Sequence, residues 1–281
     1  MVLHEEAAYM QHLLDRLAHA ANSVVARLYA TVGGDFGRLV ENYAPMVTPF
    51  LTASANIGAE WYHRQAPDSG FPVRLAPPPP PADLQASVKW AIGEAVQSAG
   101  LSQQPPNPLE DLAGATQRHV YDANRNTIVA NANRENVMFA RYASSTACAF
   151  CRILATRGPV YSGKGVITDP DTGKQKLVVV GVRGRPKGTR KIGTEYHDNC
   201  KCLAVPVRPG EVYHPPDYVD DWQSEYETAV KDHDTQGFKD IVNHMRRQEY
   251  HHEKLVGALG GISQEAEPPT APSVFSGLSQ D

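Results

Sequence analysis

The sequence predicts an α+β chain: a helical N-terminal region, a small helix-plus-antiparallel-sheet module stapled through its cysteines, and a helical C-terminal region with a disordered tail. Three observations carry this. Apolar residues recur every seven positions from Leu3 through Met10, Leu17 and Val24. All four cysteines fall within the 55 residues from Cys148 to Cys202. Between them, Lys176–Val182 is a β-branched run unlike anything in the first half.

The seven-residue repeat, with Leu14, Ala21 and Leu28 on an adjacent seam, marks an amphipathic helix through about Thr31 in search of a partner face. Gly33-Gly34 ends it. A less regular helical stretch follows, interrupted at Pro45 and Pro49 and closing near Trp61-Tyr62. Pro77 to Pro81 is an uninterrupted proline run, expected as a semi-rigid extended spacer. Asp83 opens a helix through about Ala99. Asn107-Pro108-Leu109-Glu110 is a strong helix start: an Asn cap, proline at the first position and acid in the first turn. That helix is expected to reach about Tyr142, with a kink or break in its asparagine-rich middle (Asn124, Asn126, Asn131, Asn133, Asn136).

Past Cys148 the pattern shifts. Turn chemistry at Arg157–Gly163 and Asp169–Gly173 brackets short strands, one in Lys176–Val182 and another at Leu203–Val207. After Pro215-Pro216 two helices return, the first with Trp222, Tyr226 and Val230 on one face. The second, capped by Thr235, carries Phe238, Ile241, Val242, Met245 and Leu255. The expected domains are 1–76, a helical region; 77–106, proline-rich linkers around a helix; 107–210, the cysteine module; 211–256, acidic helices; and 257–281, a tail too poor in apolar residues to fold. His244, His251 and His252 read as solvated helix-face residues.

The cysteines come as two tight sets, Cys148-Ala-Phe-Cys151 and His197-Asp-Asn-Cys200-Lys-Cys202. A C-x2-C step lets two thiolates converge on one tetrahedral ion, and a cluster on a returning strand completes the shell. Paired disulfides suit a secreted chain, but Met1-Val-Leu-His-Glu-Glu is acidic and opens no apolar signal segment. A thioredoxin-like redox pair has no use for a second His/Cys cluster 45 residues later. Zinc is therefore the expected cofactor, in a structural role. Five residues compete for four positions: Cys148 and Cys151, with two of His197, Cys200 and Cys202. The module has little apolar mass, so a structural ion contributes stability that its core cannot.

The net charge of −4 conceals an asymmetry. Residues 141–202 hold 12 Lys/Arg against 4 Asp/Glu, while residues 203–281 hold 6 against 14. Within the basic window, Arg183, Arg185, Lys187, Arg190 and Lys191 crowd five cations into nine residues interleaved with Gly and Pro. Such a loop fits a polyanion, through phosphates and without sequence choice, since no aromatic residue is placed to stack on bases. The acidic flanks are the rival neutralising partner. No run approaches the roughly 18 apolar residues of a membrane span.

The window Ala147–Gly158 with Tyr196–Cys202 resembles the Mu F-like phage head morphogenesis (minor capsid) proteins, especially those of tailed phages of actinobacteria. That pattern is a helix ending in C-x2-C, a β-hairpin insertion and an H-x2-C-x-C return; the likeness spans about residues 107–207. Many members have H-P-x-C-x-C where this chain has His197-Asp198-Asn199-Cys200. The resemblance implies a non-catalytic protein in several copies per virion, assembled in the host cytoplasm and sited at the capsid interior and portal vertex. Its implied partners are the portal protein, the major capsid protein and packaged DNA. Two other classes compete. A zinc-ribbon nucleic-acid module needs only the cysteines and the cations. An HNH-like nuclease needs His197 as a free general base, which the metal spacing opposes, and a second His or Asn on a following helix placed to hold a catalytic ion, which the sequence does not offer.

Overall fold

The computed structural model describes residues 2–98, 107–159, 166–168, 175–177, 200–232 and 240–247. The chain forms two compact units. One comprises Met10–Asn131 and Tyr196–Lys201; the other comprises Met1–Tyr9, Ala132–Glu195 and Cys202–Asp281.

Four helices dominate the first unit: α1 (His4–Val32), α2 (Phe36–Arg64), α3 (Pro81–Ser98) and α4 (Pro108–Glu135). Gly33 and Gly34, at φ of 57° and 91°, supply the left-handed turn between α1 and α2. Asp35 caps α2 by accepting the Arg38 N–H at 3.1 Å. The buried stripe of α1 runs beside the first predicted seam rather than along it: Ala18, Ala21 and Val25, with Leu17 and Leu28 partly buried against them, share one core with Leu39, Tyr43, Val47 and Leu51 of α2, Leu84 and Val88 of α3, and Leu112 and Val120 of α4. The partner face that the repeat requires is thus supplied by the protein itself.

Three expectations for this region are corrected. Helix α2 runs through Pro45 and Pro49 without interruption. The two prolines lie one turn apart on the exposed face, so the carbonyls that lose a donor, those of Glu41 and Pro45, are on the side open to water. Helix α4 is likewise unbroken through its asparagine-rich middle. Asn126 and Asn133 face solvent, whereas Asn124, Thr127 and Asn131 are buried and their side chains bond to other segments of the chain. The Arg74 N–H donates to Asn131 Oδ1 at 2.9 Å, and Asn131 Nδ2 returns a bond to the Arg74 carbonyl at 2.7 Å. The Ala76 N–H donates to Thr127 Oγ1 at 3.1 Å, and Asn124 Nδ2 donates to the Ser54 carbonyl at 3.3 Å. The segment leading into the proline run is therefore tied to α4, and Pro81 is already the first residue of α3, whose first turn bonds to the Pro80 carbonyl. Finally, α4 stops at Glu135, short of Tyr142. Asn136 takes the left-handed conformation at φ 59°, and the Val137 N–H closes the end on the Ala132 carbonyl at 2.7 Å. The expected start of α4 holds: Leu109 N–H donates to Asn107 Oδ1 at 3.1 Å.

The second unit is α+β. Residues expected at the end of the long helix form β2 (Met138–Tyr142), which pairs antiparallel with β5 (Leu203–Val207), Tyr142 facing Leu203. A parallel pair joins β1 (Val2–Leu3) to β6 (Tyr213–His214), which the sequence did not announce. A short antiparallel pair, β3 (Val166–Thr168) and β4 (Gln175–Leu177), falls within the expected insertion; the Asp169–Gly173 turn lies outside the described residues. Helix α5 (Ala149–Ala155) follows Cys148, and α6 (Tyr218–Asp232) follows Pro215-Pro216. Ala149 and Ile153 of α5 share a core with Ala229 of α6 and with Val242 and Met245 of helical residues 240–247, with Tyr226 packed against it. Residues 257–281 lie outside the described residues, as do His251 and His252.

Candidate metal centre

The C-x2-C knuckle opens a helix instead of ending one. Cys148 occupies the N-cap of α5 with an extended backbone (φ −64°, ψ 158°), and Cys151 sits in the first turn. The strand β2 ahead of the knuckle accounts for the difference: with α4 ended at Glu135, the chain reaches Cys148 through a strand and a turn at Ser144–Ala147. Cys200 and Cys202 lie immediately before β5, both 2% exposed, and Cys151 is 1% exposed. The sulfurs of Cys151, Cys200 and Cys202 all lie within 4.8 Å of one another, and the cysteines form no disulfide.

This donor set fits a soft divalent ion. Tetrahedral zinc with Zn–S of about 2.3 Å places its sulfurs about 3.8 Å apart, so modest inward adjustment brings three thiolates onto one ion. Three of the five sequence candidates are brought together. Cys148 is half-buried and not among these three, and His197 lies outside the described residues. The five loop cations Arg183, Arg185, Lys187, Arg190 and Lys191 also lie outside them.

Polar groups that motif spacing could not disclose hold the Cys200-Lys201 segment. Arg125 of α4 has no solvent exposure; its Nη1 lies 3.5 Å from Cys200 Sγ and 3.4 Å from the Cys200 carbonyl, and its Nη2 is 3.0 Å from Asp122. Gln11 Nε2 donates to the Lys201 carbonyl at 2.7 Å, and Lys201 Nζ pairs with Asp15 at 2.8 Å. Tyr121 steadies the same pair, its hydroxyl 3.0 Å from Asp15 Oδ1. Beside Cys202, burial raises the phenol pKa values of Tyr142 and Tyr218, which are hydrogen-bonded to each other; the nearby Cys202 adds to both shifts. Tyr218 also donates to the Ala143 carbonyl at 2.8 Å and packs on Trp222 with ring centroids 4.8 Å apart.

Part of the charge asymmetry resolves locally. Arg152 of α5 stands 3.7 Å from Glu225 and over the Trp222 ring, and Arg157 lies 4.1 Å from the Tyr226 ring centroid. Basic and aromatic–acidic surfaces of α5 and α6 meet each other. Trp222 is buried at these contacts, at 4% exposure, and Met245, at 1%, lies in the core that α5 and α6 share with residues 240–247.

Fold and site together define a mainly helical protein with a compact, buried three-cysteine centre. Among the described residues, no helix is long and apolar enough to cross a membrane. The VG15 protein family matches residues 1–229, and the chain belongs to that family, one of phage-encoded proteins. No curated protein and no solved structure matches the chain.

Proposed function

We propose that the protein is a minor capsid, head morphogenesis component of a tailed bacteriophage. It acts as a non-catalytic connector at the portal vertex and capsid interior, with its cysteine centre holding a structural zinc. The observation that carries the reading is the closure of the motif in space: Cys200 and Cys202 return to Cys151, within 4.8 Å, in a chain of a phage family. That is the pattern behind the Mu F-like resemblance. The ion's fourth ligand comes from Cys148 or His197. Portal and major capsid protein are the proposed partners, with packaged DNA contacted through phosphates by the cations between Arg183 and Lys191.

The test is a phage carrying a nonsense mutation in this gene, compared with wild type by quantitative mass spectrometry of purified particles and by infectivity. The expected outcome is several copies per wild-type particle and non-infectious or malformed heads in the mutant. Co-purification with portal protein is expected to survive nuclease treatment. Infectious, normal particles lacking the protein overturn the reading. Plasmid nicking with Mg²⁺ that disappears in His197→Ala identifies a nuclease instead.

A further inference from the structure

Resting on the metal reading above, we infer that Arg125 is a positioning residue of the metal centre: its guanidinium holds the Cys200 sulfur and offsets the negative charge of the thiolate group. Arg125 is 0% exposed in the middle of α4. A cation removed from water must meet its charge inside the protein. Asp122 supplies one carboxylate oxygen at 3.0 Å, itself 27% exposed. On the other side, Nη1 is 3.4 Å from the Cys200 carbonyl, long for an N–H···O bond, and 3.5 Å from Sγ, an ordinary separation for the larger sulfur atom. The Tyr121 ring covers the guanidinium, 5.5 Å from its carbon.

The chemistry explains why an arginine belongs here. Three thiolates on one divalent ion leave the group with an excess negative charge in a dry site, before the fourth ligand is counted. A permanently charged, planar donor that spans an aspartate and a sulfur reduces that excess and fixes the sulfur's direction. Neutral buried thiols give no such reason to keep a guanidinium out of water.

The experiment uses the full-length protein, loaded with Co²⁺ for spectroscopy and with Zn²⁺ for release to a chromogenic chelator. Wild type is expected to show sulfur-to-cobalt charge-transfer bands and slow zinc release. Arg125→Gln removes the donor to sulfur, so its charge-transfer band shifts to longer wavelength and zinc affinity falls by about 10- to 100-fold, the range for loss of a group that orients a metal ligand. Arg125→Lys, which keeps the cation but loses the fork, is expected to fall between the two. Wild-type spectra and release rates in both variants overturn the role of Arg125 while leaving the metal centre standing. If Arg125→Gln loses its helical circular dichroism, wild-type behaviour in Arg125→Lys alone overturns it. A wild-type protein that takes up neither Co²⁺ nor Zn²⁺ defeats the metal reading itself.

Discussion

Gly58 of α2 lies where α2 meets α4. A Cβ added there comes within 3.0 Å of both the Asn124 carbonyl oxygen and Asn124 Nδ2, and within 3.3 Å of its Cγ. The carbonyl is helix backbone, and Nδ2 is held by its bond to the Ser54 carbonyl at 3.3 Å, so neither atom can step aside cheaply. Gly58→Ala therefore has two opposed effects. Helix propensity favours alanine by about 0.8–1 kcal/mol. Overpacking, with α2 and α4 forced apart by several tenths of an ångström, costs about 1–3 kcal/mol. The wedge wins, and the expected net loss is up to about 2 kcal/mol. Gly93 of α3 provides the internal comparison, because nothing lies within 4 Å of a Cβ built there; Gly93→Ala is expected to stabilise by up to about 1 kcal/mol. Urea unfolding followed by circular dichroism at 222 nm, with both variants and wild type measured together, reads the difference directly. If Gly58→Ala is as stable as Gly93→Ala, the close approach of α2 and α4 is wrong as described.

Asn131→Ala strands the N–H and carbonyl of Arg74 and is expected to lose about 2–4 kcal/mol by the same unfolding assay. It should also admit protease within residues 71–80; full protection there contradicts the tie to α4. Burial, helped by the charge of Arg118, lowers the pKa of His119 to about 4. Its neutral ring meets the Ser87 hydroxyl at 2.9 Å. Between its unfolded pKa near 6.5 and about 4 the unfolded chain binds the extra proton, so this contribution is full above pH 6.5 and is lost as pH falls toward 4. The loss amounts to at most about 3 kcal/mol, and His119→Gln should flatten the pH slope of urea stability; an unchanged slope removes His119 from the account. Cys151→Ser should abolish stoichiometric zinc, measured by plasma emission on protein purified without added metal, whereas retention of about one ion per chain rules out the three-sulfur centre. Replacing the five cations from Arg183 to Lys191 with Gln should weaken duplex DNA binding and flatten its salt dependence by about 0.9 units for each phosphate no longer neutralised; a wild type without salt-sensitive binding assigns those cations elsewhere.

What the sequence disclosed and what it hid separate along a physical line. Periodicity and capping are local, and they placed α1, α3 and the start of α4, because an apolar stripe or an Asn-Pro pair acts on its own few turns. Ligand spacing is also local, and three of the four cysteines it singled out, Cys151, Cys200 and Cys202, come together. The errors share one cause, which is that propensity knows nothing of a side chain's partner. Asparagines that should weaken α4 are held by segments 57 and 70 residues away in the chain. Prolines that should break α2 fall on the face where a lost hydrogen bond is replaced by water. Met138–Tyr142 reads as the tail of a helix until Leu203–Val207 arrives as a strand to pair with it. Arg125 is the sharpest case. In sequence it is one more cation on a long helix, whereas in the fold it is a charge taken wholly out of water beside a cysteine sulfur. The buried polar face of α4 thus has two duties along one helix: Thr127 and Asn131 anchor the approach to the proline run, and Arg125 meets the returning Cys200. Asparagine and arginine in the middle of a long helix, where propensity offers no reason for them, were the available signal that other backbone would be received there.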